Sequence, residues 1–126
     1  MDEIKTIIDD LGIAALEANV NLAALAVISD SGKLIIQTEN WDLTNQEENI
    51  LNIIKGISSF TLSNVEYSVV EVTKEGIIGT NVSGMGHVLL AFFHGGVLVA
   101  YAMPRADPPK ALAFLKNWAI KLNGII

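Results

Sequence analysis

Residues 65–103 read VEYSVVEVTKEGIIGTNVSGMGHVLLAFFHGGVLVAYAM. Val65 to Thr73 is rich in β-branched side chains, and the runs Ile77 to Val82, His87 to Phe93 and Val97 to Met103 have strand length. Each junction carries residues that favour chain reversal: Lys74-Glu75-Gly76, Ser83-Gly84-Met85-Gly86 and His94-Gly95-Gly96. Four strands joined by tight turns predict an antiparallel meander. In Val88, Leu89, Leu90, Ala91, Phe92 and Phe93 both alternating sets of positions are apolar, so each sheet face needs cover. Helical layers on two sides are the simplest source of it.

The flanking sequence supplies those layers. Upstream, Ile4, Ile7, Ile8, Leu11, Ala15 and Ala18 fall on one face at helical spacing, and Asn19 to Asn21 end the helix. Ala23 to Ser29 reads as a buried strand that turns through Asp30-Ser31-Gly32 into Lys33 to Thr38, a hairpin. Thr44 and Glu47 have capping-box spacing, which predicts a helix starting at Thr44 with Ile50, Ile53, Ile54 and Ile57 as its stripe and a loosened end before Phe60. Downstream, Pro108 and Pro109 suit the first turn of a last helix that carries Leu112, Leu115, Trp118, Ala119 and Leu122 on one arc. The order helix, two strands, helix, four strands, helix predicts one α+β domain over residues 1–126, with an antiparallel sheet of about six strands.

Charge and composition exclude several classes. The 126 residues carry a net charge of −6, unevenly spread. Residues 1–75 hold 13 acidic and 4 basic side chains, residues 76–104 hold none, and Arg105 to Ile126 hold 4 basic and 1 acidic. One basic tail is too little to track a phosphate backbone, so no nucleic acid is expected as partner. With no cysteine, disulfides and thiolate metal sites are excluded. The 29 uncharged residues 76–104 are divided by five glycines, among them Gly84 and Gly95, into pieces shorter than the ~20 residues a membrane-spanning helix needs. The acidic start MDEIK is unlike a secretory signal, which makes the cytoplasm the expected location.

Catalytic chemistry has little to work with. His87 and His94 lie seven residues apart with no carboxylate neighbour at ligand spacing, so structural or solvated roles are expected and no metal site. Glu47 and Glu48 at a helix start are explained by capping and the helix dipole. No helix follows the glycine-rich turn at 83–86, which removes the basis for a phosphate cradle. The expectation is a protein without cofactor that is not an enzyme.

Several local strings, in order, resemble the profilin family over nearly the whole chain. They are the N-terminal amphipathic helix, a hairpin ending near Trp41, the string Leu43-Thr44-Asn45-Gln46-Glu47-Glu48, then Ser58-Ser59-Phe60 and a strand containing Tyr67. The turns at Glu75-Gly76 and Ser83 to Gly86 and a C-terminal helix entered through prolines complete the series. The best match is a short, archaeal-type profilin. The resemblance implies terminal helices on one sheet face and the middle helix on the other, and an actin-monomer-binding protein that regulates actin assembly in the cytoskeleton. In that family actin docks on the start of the C-terminal helix and the adjoining strands. Carried onto this chain, that surface comprises Thr80, Val82, His87 and Leu89 with Arg105, Pro108, Ala111, Leu112 and Lys116. The basic tail lies on it and would complement an acidic partner.

The family's proline-rich ligands dock on aromatic residues of the terminal helices, and here only Trp118 is available. Polyproline binding is therefore expected to be weak or absent. Phosphoinositide binding is expected to be weak or absent as well, because an acidic surface repels anionic headgroups. A monomer is expected. The contrasting reading is the Roadblock family, homodimeric regulators or scaffolds of small GTPases: Ser29 to Leu34 and Glu71 to Gly76 resemble its strands and turns. On that view the helix from Thr44 to Phe60 would be the dimer interface. A ligand-sensing domain ranks last, for want of a polar cluster between helix and sheet.

Overall fold

The computed structural model describes residues 2–38, 41–74 and 76–125. Helix α1 (Asp2–Ala18) buries Ile4, Ile8, Leu11 and Ala15, four positions of the predicted stripe. Ala18 lies past the packed stretch and is exposed. Asn19 and Asn21 then adopt left-handed conformations, φ 57° and 62°, which stop the helix and lead into β1 (Leu22–Ser29). β1 turns at Gly32 into β2 (Leu34–Gln37), the predicted hairpin.

The middle helix starts later than the capping-box spacing predicts. Asp42 Oδ1 captures the Thr44 N–H at 3.0 Å, and Asn45 takes φ +67°, so Thr44 is in a turn rather than at a cap. Helix α2 spans Glu47–Ile54, with Gln46 at its N-cap and no side-chain cap bond. The Gln46 carboxamide is used across the fold instead, its Oε1 accepting from the Ser63 N–H at 2.9 Å and its Nε2 donating to the Asp42 carbonyl at 3.3 Å. Only Ile50 and Ile53 of the expected stripe are buried; Ile54 and Ile57 are exposed because the helix ends at Ile54.

The stretch expected to loosen before Phe60 contains a further strand, β3 (Ser59–Leu62), which pairs with β4 (Val65–Val72). β4 leads to β5 (Gly76–Thr80), β6 (His87–Phe93) and β7 (Gly96–Ala102), the four strands of the predicted meander. Glu75, in the turn between β4 and β5, lies outside the described residues. The sheet thus has seven strands among the described residues, one more than expected, in the order β2-β1-β7-β6-β5-β4-β3, all antiparallel. Gly79 makes room for β3: a Cβ there would stand 2.6 Å from the Phe60 ring.

The apolar strands are covered from within the chain. Ile78, Leu89, Ala91, Leu98 and Ala100 face α1 and helix α3 (Pro108–Ala119) in one core cluster. The alternate positions Ile77, Val88, Leu90, Val97 and Val99 pack with Ile50 and Ile53 of α2 in a second. Terminal helices on one face and the middle helix on the other is the expected arrangement, and it accounts for the two apolar faces of β6.

Candidate partner-binding surface

The start of α3 is built by local chemistry. Asp107 at the N-cap accepts from the Lys110 N–H at 3.4 Å, and prolines fill the first helical positions, where no N–H is missed. Leu112 on the next turn lies over Gly76, where a Cβ would meet its Cδ1 at 2.9 Å. This glycine lets the helix start close to β5, so α3 and the strand ends form one surface.

Thr80 and His87 are register partners across β5 and β6, with Thr80 Oγ1 and His87 Nδ1 2.9 Å apart. His87 Nε2 lies 3.3 Å from the Pro104 carbonyl oxygen. A carbonyl only accepts, so this geometry assigns the ring proton to Nε2 and has the threonine hydroxyl donate to Nδ1. The imidazole ties two strands to the loop that enters α3. Both of its nitrogens are occupied, the structural role expected for it. His94 is exposed in its turn, and no group of three or more potential metal ligands occurs among the described residues.

Not every residue carried over by the resemblance is available to a partner. Val82 is 87% exposed at the turn, Pro108 is half-buried and Arg105 is exposed. Leu89, Ala111 and Leu112 are core residues instead: Leu89 points under α3, and Ala111 and Leu112 are on the face of α3 that packs down on it. The residue types alone do not separate the inner from the outer arc of α3. The basic tail is also less open than its charge suggests. Lys116 Nζ donates to the Phe92 carbonyl at 2.6 Å, Arg105 Nε donates to Asn21 Oδ1 at 3.2 Å, and Lys121 Nζ sits 3.8 Å from the centre of the Trp118 ring. Trp118, read from the sequence as core, is half-buried beneath that ammonium.

The register adds residues that sequence reasoning missed. Ser68 pairs with Thr80 and Glu71 with Ile78, so both point to the α3 side of the sheet, beyond the edge of the helix. A bulge between Val69 and Glu71 leaves Val70 exposed beside them. An alternating reading of Glu66 and Ser68 would reach this face, but the bulge breaks the period before Glu71. The surface next to α3 therefore mixes Lys110 with Glu66 and Glu71 and is not uniformly basic.

Fold and surface define a class: a small α+β protein with one antiparallel sheet between two helical layers, whose last helix begins beside the open end of the meander. No family model matches the sequence. Individual proteins do. The chain is 38% identical to Loki profilin-2 of Lokiarchaeum, over 99% of this chain and 98% of that protein. It is 37% identical to Thor profilin of a Thorarchaeota archaeon, over 82% and 84%. The structure of Loki profilin 2 in complex with rabbit actin matches with a TM-score of 0.88, covering 100% of this chain and 99% of that one at 37% identity. Fission yeast profilin shares the fold at a TM-score of 0.69 with 14% identity. The chain belongs to the profilin family. The complete strand β7 followed by α3 fits this family, and the Roadblock reading has no support: α2 spends its buried face on its own sheet.

Proposed function

We propose that this protein binds monomeric actin and regulates its assembly. One observation carries the reading: the match to the Loki profilin 2–rabbit actin complex extends over the whole chain. The proposed contact surface is Thr80, Val82 and His87 at the strand ends, with Arg105, Pro108 and Lys116, extended by Ser68, Val70 and Glu71 on β4. Leu89, Ala111 and Leu112 support it from below. The protein acts as a monomer, by binding rather than by catalysis, in the cytoplasm. No described helix is long and apolar enough to cross a membrane. Proline-rich ligands bind weakly or not at all, since α1 offers no tryptophan or tyrosine and Trp118 is covered by Lys121.

Assembly of pyrene-labelled rabbit actin and of an archaeal actin, with increasing amounts of this protein, tests the reading. A dose-dependent change in assembly and a one-to-one complex by sizing are expected. If neither actin responds and no complex forms, the reading fails.

A further inference from the structure

Arg105 is the only arginine of the chain, and the other basic side chains counted among its eight are lysines. Local structure fixes its backbone. The Ala106 N–H donates to the Met103 carbonyl at 2.9 Å and closes a turn with Pro104 and Arg105 at its centre, where the proline ring presets the first φ. The Pro104 carbonyl, on the peptide that joins it to Arg105, lies 3.3 Å from His87 Nε2. Met103 donates its N–H to the Asn21 carbonyl at 2.9 Å and so continues the pairing of Leu22 with Ala102. The turn that carries the arginine is thereby tied to both β6 and the start of β1.

The side chain is held as well. Arg105 Nε donates to Asn21 Oδ1 at 3.2 Å, a contact between residues 84 apart in sequence. Asn21 stands in a left-handed conformation, φ 62°, which its short carboxamide tolerates. From this bend between α1 and β1 its backbone oxygen reaches Met103 and its side-chain oxygen reaches Arg105. Arg105 is exposed and makes no other hydrogen bond and no ion pair among the described residues, so both terminal nitrogens of the guanidinium stay available.

An exposed arginine without such support samples many rotamers, and a partner that uses it must immobilise it at a cost in affinity. Here much of that ordering is complete before any partner arrives. The free edge of the guanidinium offers paired N–H donors that match a carboxylate, which a lysine in the same place would not. Arg105 belongs to the proposed contact surface, so the matching carboxylate lies on the partner, across from the turn that enters α3.

We propose that Asn21 is a positioning residue for actin binding: without touching the partner, its side-chain oxygen holds the Arg105 guanidinium ready for a carboxylate on the actin surface. The proposal rests on the actin reading above, and a double-mutant cycle separates the two. Asn21→Gly removes the carboxamide while keeping the left-handed backbone and the carbonyl that accepts from Met103. Affinity for monomeric actin, rabbit and archaeal, is measured for the unmodified chain, Asn21→Gly, Arg105→Ala and the double variant. Asn21→Gly should weaken binding about two- to tenfold when Arg105 is present and not at all when it is absent. The Arg105 Nε–H gives the single arginine side-chain resonance of the chain, and its exchange with solvent should quicken in Asn21→Gly while Tm stays nearly unchanged. An equal loss in both backgrounds would show Asn21 acting through the loop alone and overturns the proposal, as does unchanged affinity or unchanged Nε–H exchange in Asn21→Gly. If Arg105→Ala binds as tightly as the unmodified chain, the proposal falls while the actin reading stands; if the unmodified chain binds neither actin, both fall.

Discussion

Leu115 lies in the middle of α3 with 0% exposure, packed in the cluster that joins α1, α3 and the sheet. Leu115→Ala removes buried methyl and methylene groups and leaves a void whose walls are strand backbone and helices held from two sides. Such a site collapses poorly, which places the loss in the upper part of the usual range, about 3–5 kcal/mol. For a chain of 126 residues the unfolding entropy near the midpoint is about 0.26 kcal/mol/K, so Tm should fall by about 11–19 °C. Denaturant melts of both proteins, with the slope m compared, would show whether the change is in stability alone. Actin binding measured well below the lowered Tm should be unchanged, because Leu115 is buried in the core and is not part of the proposed contact surface. A loss below about 1 kcal/mol would refute the packing argument. Lost actin binding in a fully folded variant would refute the placement of the surface.

Further outcomes are expected. Lys116→Met should destabilise the fold by about 1 kcal/mol through the lost bond to the Phe92 carbonyl, and, like Arg105→Glu on the same proposed contact surface, should weaken actin association in a way that shrinks at high salt; thermal melts and binding at two ionic strengths check both. Gly79→Val should cost about 1–3 kcal/mol, since its Cβ would stand 2.6 Å from the Phe60 ring, and adding Phe60→Leu should recover part of the loss in the same melts. Burial, with a smaller contribution from Tyr101, raises the Tyr67 phenol to about 12. Its folded value lies above the unfolded value near 10, so the stability it lends is fully present below pH 10 and is lost as pH climbs toward 12. Melts across that range should show a decline that Tyr67→Phe reduces.

The meander was legible because each strand ends at a glycine-bearing turn, and the resemblance to profilins rested on the order of such strings. What stayed hidden depended on contacts distant in the chain. β3 is four residues long and follows a serine pair, so its pairing with β4 has little local signature. The delayed start of α2 comes from Asp42 competing for the Thr44 N–H, an outcome that capping-box spacing alone does not predict. For the surface, a helix wheel puts Ala111 and Leu112 near its apolar arc, but only their burial, with Leu112 packed on Gly76, shows them closed to a partner.

The pairing of β1 with β7 also bears on how the chain comes to be folded. Val27 lies opposite Leu98 and Leu25 opposite Ala100, so the first hairpin waits some seventy residues for its neighbour. During synthesis the edge of its strand LAALAVIS that pairs with β7 stays bare until Ala102 has emerged. Contacts this far apart slow folding and lengthen the interval in which such an edge can pair with another chain. Truncation anywhere before β7 should therefore yield aggregates rather than a smaller folded piece, and a chaperone that captures nascent chains would find its target in residues 22–29.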